Sequence, residues 1–190
     1  GTLRQAEYSS VSIIDEQEAY RAVAELYKNG HRRIAALTAD PDDSSISQLR
    51  YLGYQRALRD FGLTEYPEDL ICAEDFTIAT AYAAMQKRLR SPADFTAVFA
   101  IADDMAIGAM RALRESGRSI PEDCSVIAID GINVSEYIHP MLTTLCQPKT
   151  AMGETSVEIL LDMIEGRGGN RHVTLPTELR AGQSVRNLTK

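Results

Sequence analysis

The sequence lacks a membrane segment: among its 190 residues no apolar run approaches the ~20 that cross a bilayer. Its first residues, with Arg4 and Glu7 and no apolar core, do not read as a secretory leader. Basic residues are in deficit, 20 Lys and Arg against 27 Asp and Glu, for a net charge of -7. Neutralising nucleic-acid phosphates takes clustered Lys and Arg, so by itself this chain is not expected to bind nucleic acid. Cysteine is scarce. Cys72, Cys124 and Cys146 are scattered, odd in number and without CxxC spacing, which reads as free buried thiols in a reducing, cytoplasmic compartment.

The marks of catalysis are missing as well. No Gly-rich phosphate loop follows any strand candidate, and there is no G-x-S-x-G elbow for an acyl-enzyme. His31, His139 and His172 lie far apart, and none has metal-ligand spacing. A carboxylate pair such as Asp103 and Asp130 has the chemistry for acid–base work but no nucleophile or metal motif beside it. The expectation is a protein that is not an enzyme and carries neither cofactor nor metal.

What is present is a globular composition, 44% apolar and 25% charged, in a chain long enough to bury a core without disulfides. Short apolar runs alternate with segments of 3.6-residue periodicity, the pattern of β-α units on a parallel sheet. Strands are expected at Val11–Ile14, Ile34–Ala39, Leu70–Ala73, Thr96–Ile101, Ser125–Ile129, Thr143–Cys146 and Val173–Leu175. Helical faces run through Ala19, Ala22, Val23 and Leu26, then Leu49 to Phe61, Ile78 to Leu89, Met105 to Leu113 and Met152 to Met163. Gly131 to Leu142 shows no periodic element, and the tail is mostly polar.

In open α/β sheets ligands bind outside the carboxyl ends of the strands. Here those ends carry Asp15, the Asp40–Ser47 loop, Glu74, Asp75, Phe76, Asp103 and Asp130. Carboxylates, serine hydroxyls and one aromatic ring suit a small ligand with several hydrogen-bond donors, such as a sugar.

Several stretches then converge. They are Gly30-His31-Arg32-Arg33-Ile34-Ala35, Arg50-Tyr51-Leu52-Gly53-Tyr54, and Ala97-Val98-Phe99-Ala100 followed by Asp103-Asp104-Met105-Ala106-Ile107-Gly108. Next come Ile120-Pro121-Glu122-Asp123-Cys124-Ser125-Val126-Ile127, Pro140-Met141-Leu142-Thr143-Thr144, and Gln147-Pro148-Lys149 with Met152-Gly153-Glu154. In this order and spacing, from Val11 to Ser184, the chain resembles the lactose/galactose repressor (LacI/GalR) family of bacterial transcription regulators. The resemblance implies an α/β, periplasmic-binding-protein-like sensor with parallel sheets flanked by helices, two lobes and a small effector held between them. It assigns residues 1–29 and 143–165 to a partial N-terminal lobe, and 30–142 and 166–190 to a complete C-terminal lobe. The family's DNA-binding helix-turn-helix is not found in this sequence, so operator DNA is expected to be reached only through a preceding segment. A homodimer sensing a sugar or sugar phosphate is the implied function, with a solute-binding protein for uptake as the alternative.

By motif position Arg50 and Asp130 match the family's effector-contacting arginine and aspartate. Arginine's planar fork suits bidentate bonding to ligand oxygens. Phe76 falls where the family places an aromatic plate, or else is a core residue. Ser45 and Ser47 fall where the first loop of the C-terminal lobe meets the effector, although helix capping accounts for at least one of them. Asp103 either accepts from a ligand hydroxyl or caps the following helix. Two departures lie at the rim: Ala102 stands where many members carry a polar residue, and Ala128-Ile129-Asp130-Gly131 replaces the usual Gly-aromatic-Asp pattern.

Overall fold

The computed structural model describes residues 8–40 and 46–189. Its elements follow the alternation read from the sequence: β1 (Ser10–Ser12), α1 (Asp15–Lys28), β2 (Ile34–Thr38), α2 (Ile46–Asp60), β3 (Leu70–Cys72), α3 (Ile78–Arg88) and β4 (Ala97–Ala100). They continue as α4 (Asp103–Glu115), β5 (Ser125–Asp130), β6 (Thr143–Cys146), α5 (Lys149–Ile164), β7 (His172–Thr174) and β8 (Glu178–Arg180).

The chain divides into two compact units. The larger comprises Asp15–Cys146 and Leu179–Lys190 and is built on a six-stranded sheet of order β3-β2-β4-β5-β6-β8. The pairs β2–β3, β2–β4, β4–β5 and β5–β6 are all parallel. All residues of β2 and β4 are buried, because a parallel strand covered on both faces has no solvent side and reads as a continuous apolar run. From β2 the chain steps outward to β3, then returns across β2 to β4 and on to β5. With right-handed crossovers, that reversal puts α2 on one face and α3 and α4 on the other. In open α/β sheets the point where the strand order reverses, here the carboxyl ends of β2 and β4, is the usual place for a ligand.

The helices pack by their predicted stripes. Helix α1 buries Ala19, Ala22, Val23 and Leu26 against α2, β4, β5 and β6. Helices α1 and α2 approach so closely that a Cβ built on Gly53 would stand 2.1 Å from the Glu16 carbonyl oxygen; only glycine fits there. Tyr54, on the same turn, is buried and donates to the Ile34 carbonyl at 2.8 Å. Helix α4 buries Met105, Ala106, Ala109, Met110, Ala112 and Leu113.

The smaller unit, Gly1–Ile14 with Gln147–Glu178, pairs β1 with β7 in parallel, Ser10 opposite His172, and packs α5 on β1. Much of α5's apolar surface is uncovered: Val157, Leu160, Leu161 and Ile164 are 49–71% exposed.

The arrangement differs from the sequence reading in four places. Residues 15–29 and 143–146, assigned by resemblance to a partial N-terminal lobe, belong with the six-stranded sheet. The reason is packing: α1's apolar stripe closes on α2 and β5, and β6 is hydrogen-bonded to β5 with Ile127 opposite Thr143 and Asp130 opposite Cys146. Residues 166–178, assigned to the C-terminal lobe, belong instead with the smaller unit, because β7 pairs with β1. The stretch from Gly131 to Leu142 contains a 3-10 turn, Asn133–Glu136, and the polar tail supplies an edge strand, β8.

Candidate functional site

The carboxyl edge of the sheet centres on Arg50. One helical turn inside α2, it is 3% exposed, with its guanidinium over the ends of β4 and β5. Its Nε donates to Asp15 Oδ1 at 2.8 Å. One Nη1 hydrogen bond goes to the Ile101 carbonyl and another to Asp130 Oδ1 at 3.2 Å. Nη2 makes no hydrogen bond among the described residues. Its two ion-pair partners are less buried, Asp15 at 13% and Asp130 at 23% side-chain exposure. Ile101 in turn donates its N–H to the Leu37 carbonyl at 3.0 Å. Arg50 is thus anchored over the carboxyl ends of β4 and β5.

Asp130 ends β5 with φ of 131°, a region side-chain-bearing residues rarely adopt. Such a conformation costs on the order of 1–3 kcal/mol and survives only when its surroundings over-determine it. Gly131 follows with φ of 65°, and a Cβ there would stand 2.5 Å from Cys146 Sγ. The turn is therefore pressed against β6, and its glycine is a steric requirement.

Asp103 opens α4, where a negative charge suits the helix N-terminus, but its carboxylate points inward and is fully buried. Oδ2 accepts from the Ile132 N–H at 2.8 Å and faces the Ser135 hydroxyl at 3.0 Å; Oδ1 accepts from the Thr144 hydroxyl at 2.5 Å. Burial raises the Asp103 carboxyl above the usual carboxylate range, against the opposing pull of those hydrogen bonds. The capping alternative read from the sequence does not describe it. The α4 N-cap is Ala102, with no side-chain capping bond, and both Asp103 oxygens accept hydrogen bonds from the protein.

The other residues divide. Phe76 is 39% exposed, so it is not a core phenylalanine. Ser47 is buried one turn before Arg50 on α2. Ser45 lies outside the described residues. Asp15 was legible only as one rim carboxylate among several, and its pairing with Arg50 was missed. Its place directly after Ile13-Ile14 and at the first turn of α1 was the available signal. Thr144, read only as a strand residue, is the missed partner of Asp103.

The profile of the family described as periplasmic binding protein-like domain matches residues 23–185. The HTH-type transcriptional regulator MalR of Clostridium butyricum is 38% identical over 181 residues, covering 95% of this chain and 53% of that protein. Among solved structures, a transcriptional regulator CelR–cellobiose complex has a TM-score of 0.88 at 33% identity, covering 96% of this chain and 55% of that one. A LacI family transcriptional regulator from Enterococcus faecium with bound ribose has a TM-score of 0.83, also at 33% identity, covering 95% and 66%. The chain spans about half the length of the curated relatives it matches.

Proposed function

The chain belongs to the LacI/GalR family of transcriptional regulators, and on that premise we propose that it is the part that senses a small polar metabolite, a sugar or sugar phosphate. The observation that carries this reading is the Arg50 fork, fixed between Asp15 and Asp130, with Nη2 making no hydrogen bond among the described residues. A sugar hydroxyl both accepts and donates, so adjacent hydroxyls can take an N–H from Arg50 and give an O–H to Asp130. The half-exposed ring of Phe76 supports a role as an apolar plate against a sugar face. The cellobiose and ribose bound by the two solved regulators favour a saccharide.

Binding works as a population shift: the effector favours the conformation it contacts best, and the change in occupancy reaches the DNA-binding segment across a homodimer. Operator DNA is the partner of the segment that makes the relatives HTH-type regulators, while the acidic chain described here handles the small molecule. No described helix is long and apolar enough to cross a membrane. Because its relatives are transcriptional regulators, we read the protein as a cytoplasmic regulator rather than an enzyme.

Calorimetric titration of the full-length protein with cellobiose, ribose and a series of other neutral and phosphorylated sugars tests this. One of them should bind, and Asp130→Ala should weaken it roughly ten- to hundredfold, the worth of one charged hydrogen bond. Phe76→Ala should weaken binding with little change in melting. An affinity untouched by Asp130→Ala would refute the assignment.

A further inference from the structure

We infer that Asp103 is the positioning residue of this site: its buried carboxylate clamps the turn after Asp130 and thereby fixes where the Asp130 carboxylate meets Arg50. The part of this inference that concerns ligand affinity rests on the sensor reading; the part that concerns the turn does not.

Every group Asp103 grips belongs to the chain just beyond Asp130 or to the strand beside it. Oδ2 takes the Ile132 N–H, and Oδ1 takes the Thr144 hydroxyl. Thr144 Oγ1 in turn accepts the Gly131 N–H at 3.4 Å. The two amides that follow Asp130 are thus tied to one carboxylate, the first through Thr144 and the second directly. Ser135 adds a third tie. Its single hydroxyl hydrogen lies between Asp103 Oδ2 and the Ile132 carbonyl, 2.6 Å away, while its oxygen accepts from Arg180. The turn being clamped is the strained one, with Asp130 at φ 131° and Gly131 at φ 65°. A strained turn persists only where its neighbours leave it no alternative, and Asp103 supplies the constraint.

A carboxylate is required for geometric reasons. Donors arrive from two directions, a backbone N–H that cannot reverse and a threonine hydroxyl that can, and an ionised carboxylate accepts from both. Asparagine can keep its oxygen toward Ile132 while the Thr144 hydroxyl turns to accept from the amide, so it preserves half the clamp. Alanine preserves none. No cation is paired with Asp103 among the described residues, so these neutral donors alone offset its burial.

Amide hydrogen exchange on the chain itself tests the clamp without any ligand. Asp103→Ala should speed exchange at Ile132 by about tenfold or more, with Asp103→Asn in between, while the Ile127 and Ala128 amides inside β5 keep the parent rate. If Asp103→Ala does not fold, Asp103→Asn and Thr144→Val carry the measurement. Ile132 protection equal to the parent's in every folded variant would overturn the proposal. In the full-length protein, with cellobiose or ribose as the probe, Asp103→Asn should lower affinity about tenfold, and this loss should vanish in an Asp130→Ala background. A loss that persists undiminished without the Asp130 carboxylate would also overturn it, because a general packing defect acts regardless of Asp130. Should neither sugar bind the parent, the sensor reading loses its probe and the exchange rates alone decide the clamp.

Discussion

Replacing Arg50 with alanine separates a residue that only touches a ligand from one that also holds the rim together. Arg50 is 3% exposed, 2.8 Å from Asp15 and 3.2 Å from Asp130, and it bonds the Ile101 carbonyl as well. Without it two carboxylates lose their shared cation and the carbonyl loses a donor. Removing one partner of a buried ion pair costs about 3–5 kcal/mol. Here the carboxylates are 13% and 23% exposed, so water recovers some of the loss and the lower end, about 3 kcal/mol, applies. In a chain of this size each kcal/mol moves the melting midpoint by about 2–4 °C, so Arg50→Ala should melt about 6–12 °C below the parent. Thermal unfolding followed by circular dichroism at neutral pH, with no ligand, reads this directly. Combining Arg50→Met with Asp15→Asn and Asp130→Asn should restore much of the midpoint, since the stranded charges are then gone. A ligand-free Arg50→Ala midpoint within about 2 °C of the parent would show that the ion pairs contribute nothing and that Arg50 serves the ligand alone.

Two further outcomes follow from the packing. Gly53→Ala should destabilise by about 1–3 kcal/mol, because the new Cβ would meet the Glu16 carbonyl oxygen at 2.1 Å and the Ala19 Cβ at 2.8 Å; an unchanged urea midpoint would show that α1 can move aside freely. His31 is buried, with Nδ1 2.9 Å from Thr96 Oγ1 and Nε2 3.2 Å from the Arg186 carbonyl, and that burial lowers its pKa below the usual 6.5. Below that value the unfolded chain binds the proton more readily than the native one, so this contribution is intact at neutral pH and declines as pH falls from 6.5 toward the lowered native pKa. Urea midpoints at mildly acidic and neutral pH should therefore diverge more for the parent than for His31→Gln, and an equal divergence would remove His31 as the cause.

The sequence by itself determined the elements whose physics is local. Ile34–Thr38 and Ala97–Ala100 are continuous apolar runs because both faces of a parallel strand are covered, and the stripe of Ala19, Ala22, Val23 and Leu26 is one face of a helix whatever it packs on. Arg50 and Asp130 were singled out through motif position, and an ion pair joins them at the sheet edge. Glu178–Arg180 was not, since an edge strand at the end of a sheet carries no apolar signature. The rest was decided by tertiary structure, because it depends on which distant residues arrive at the same place. Arg50 meets partners 35 and 80 positions away. Asp103 shares its acidic character with Asp130, yet one turns inward to Thr144, 41 positions along the chain, and the other faces Arg50. Chain order put α1 and β6 with one lobe in expectation; the buried face of α1 and the hydrogen bonds of β6 put them with the other sheet. Burial and pairing act through space, and sequence reports them only where the partners are near neighbours.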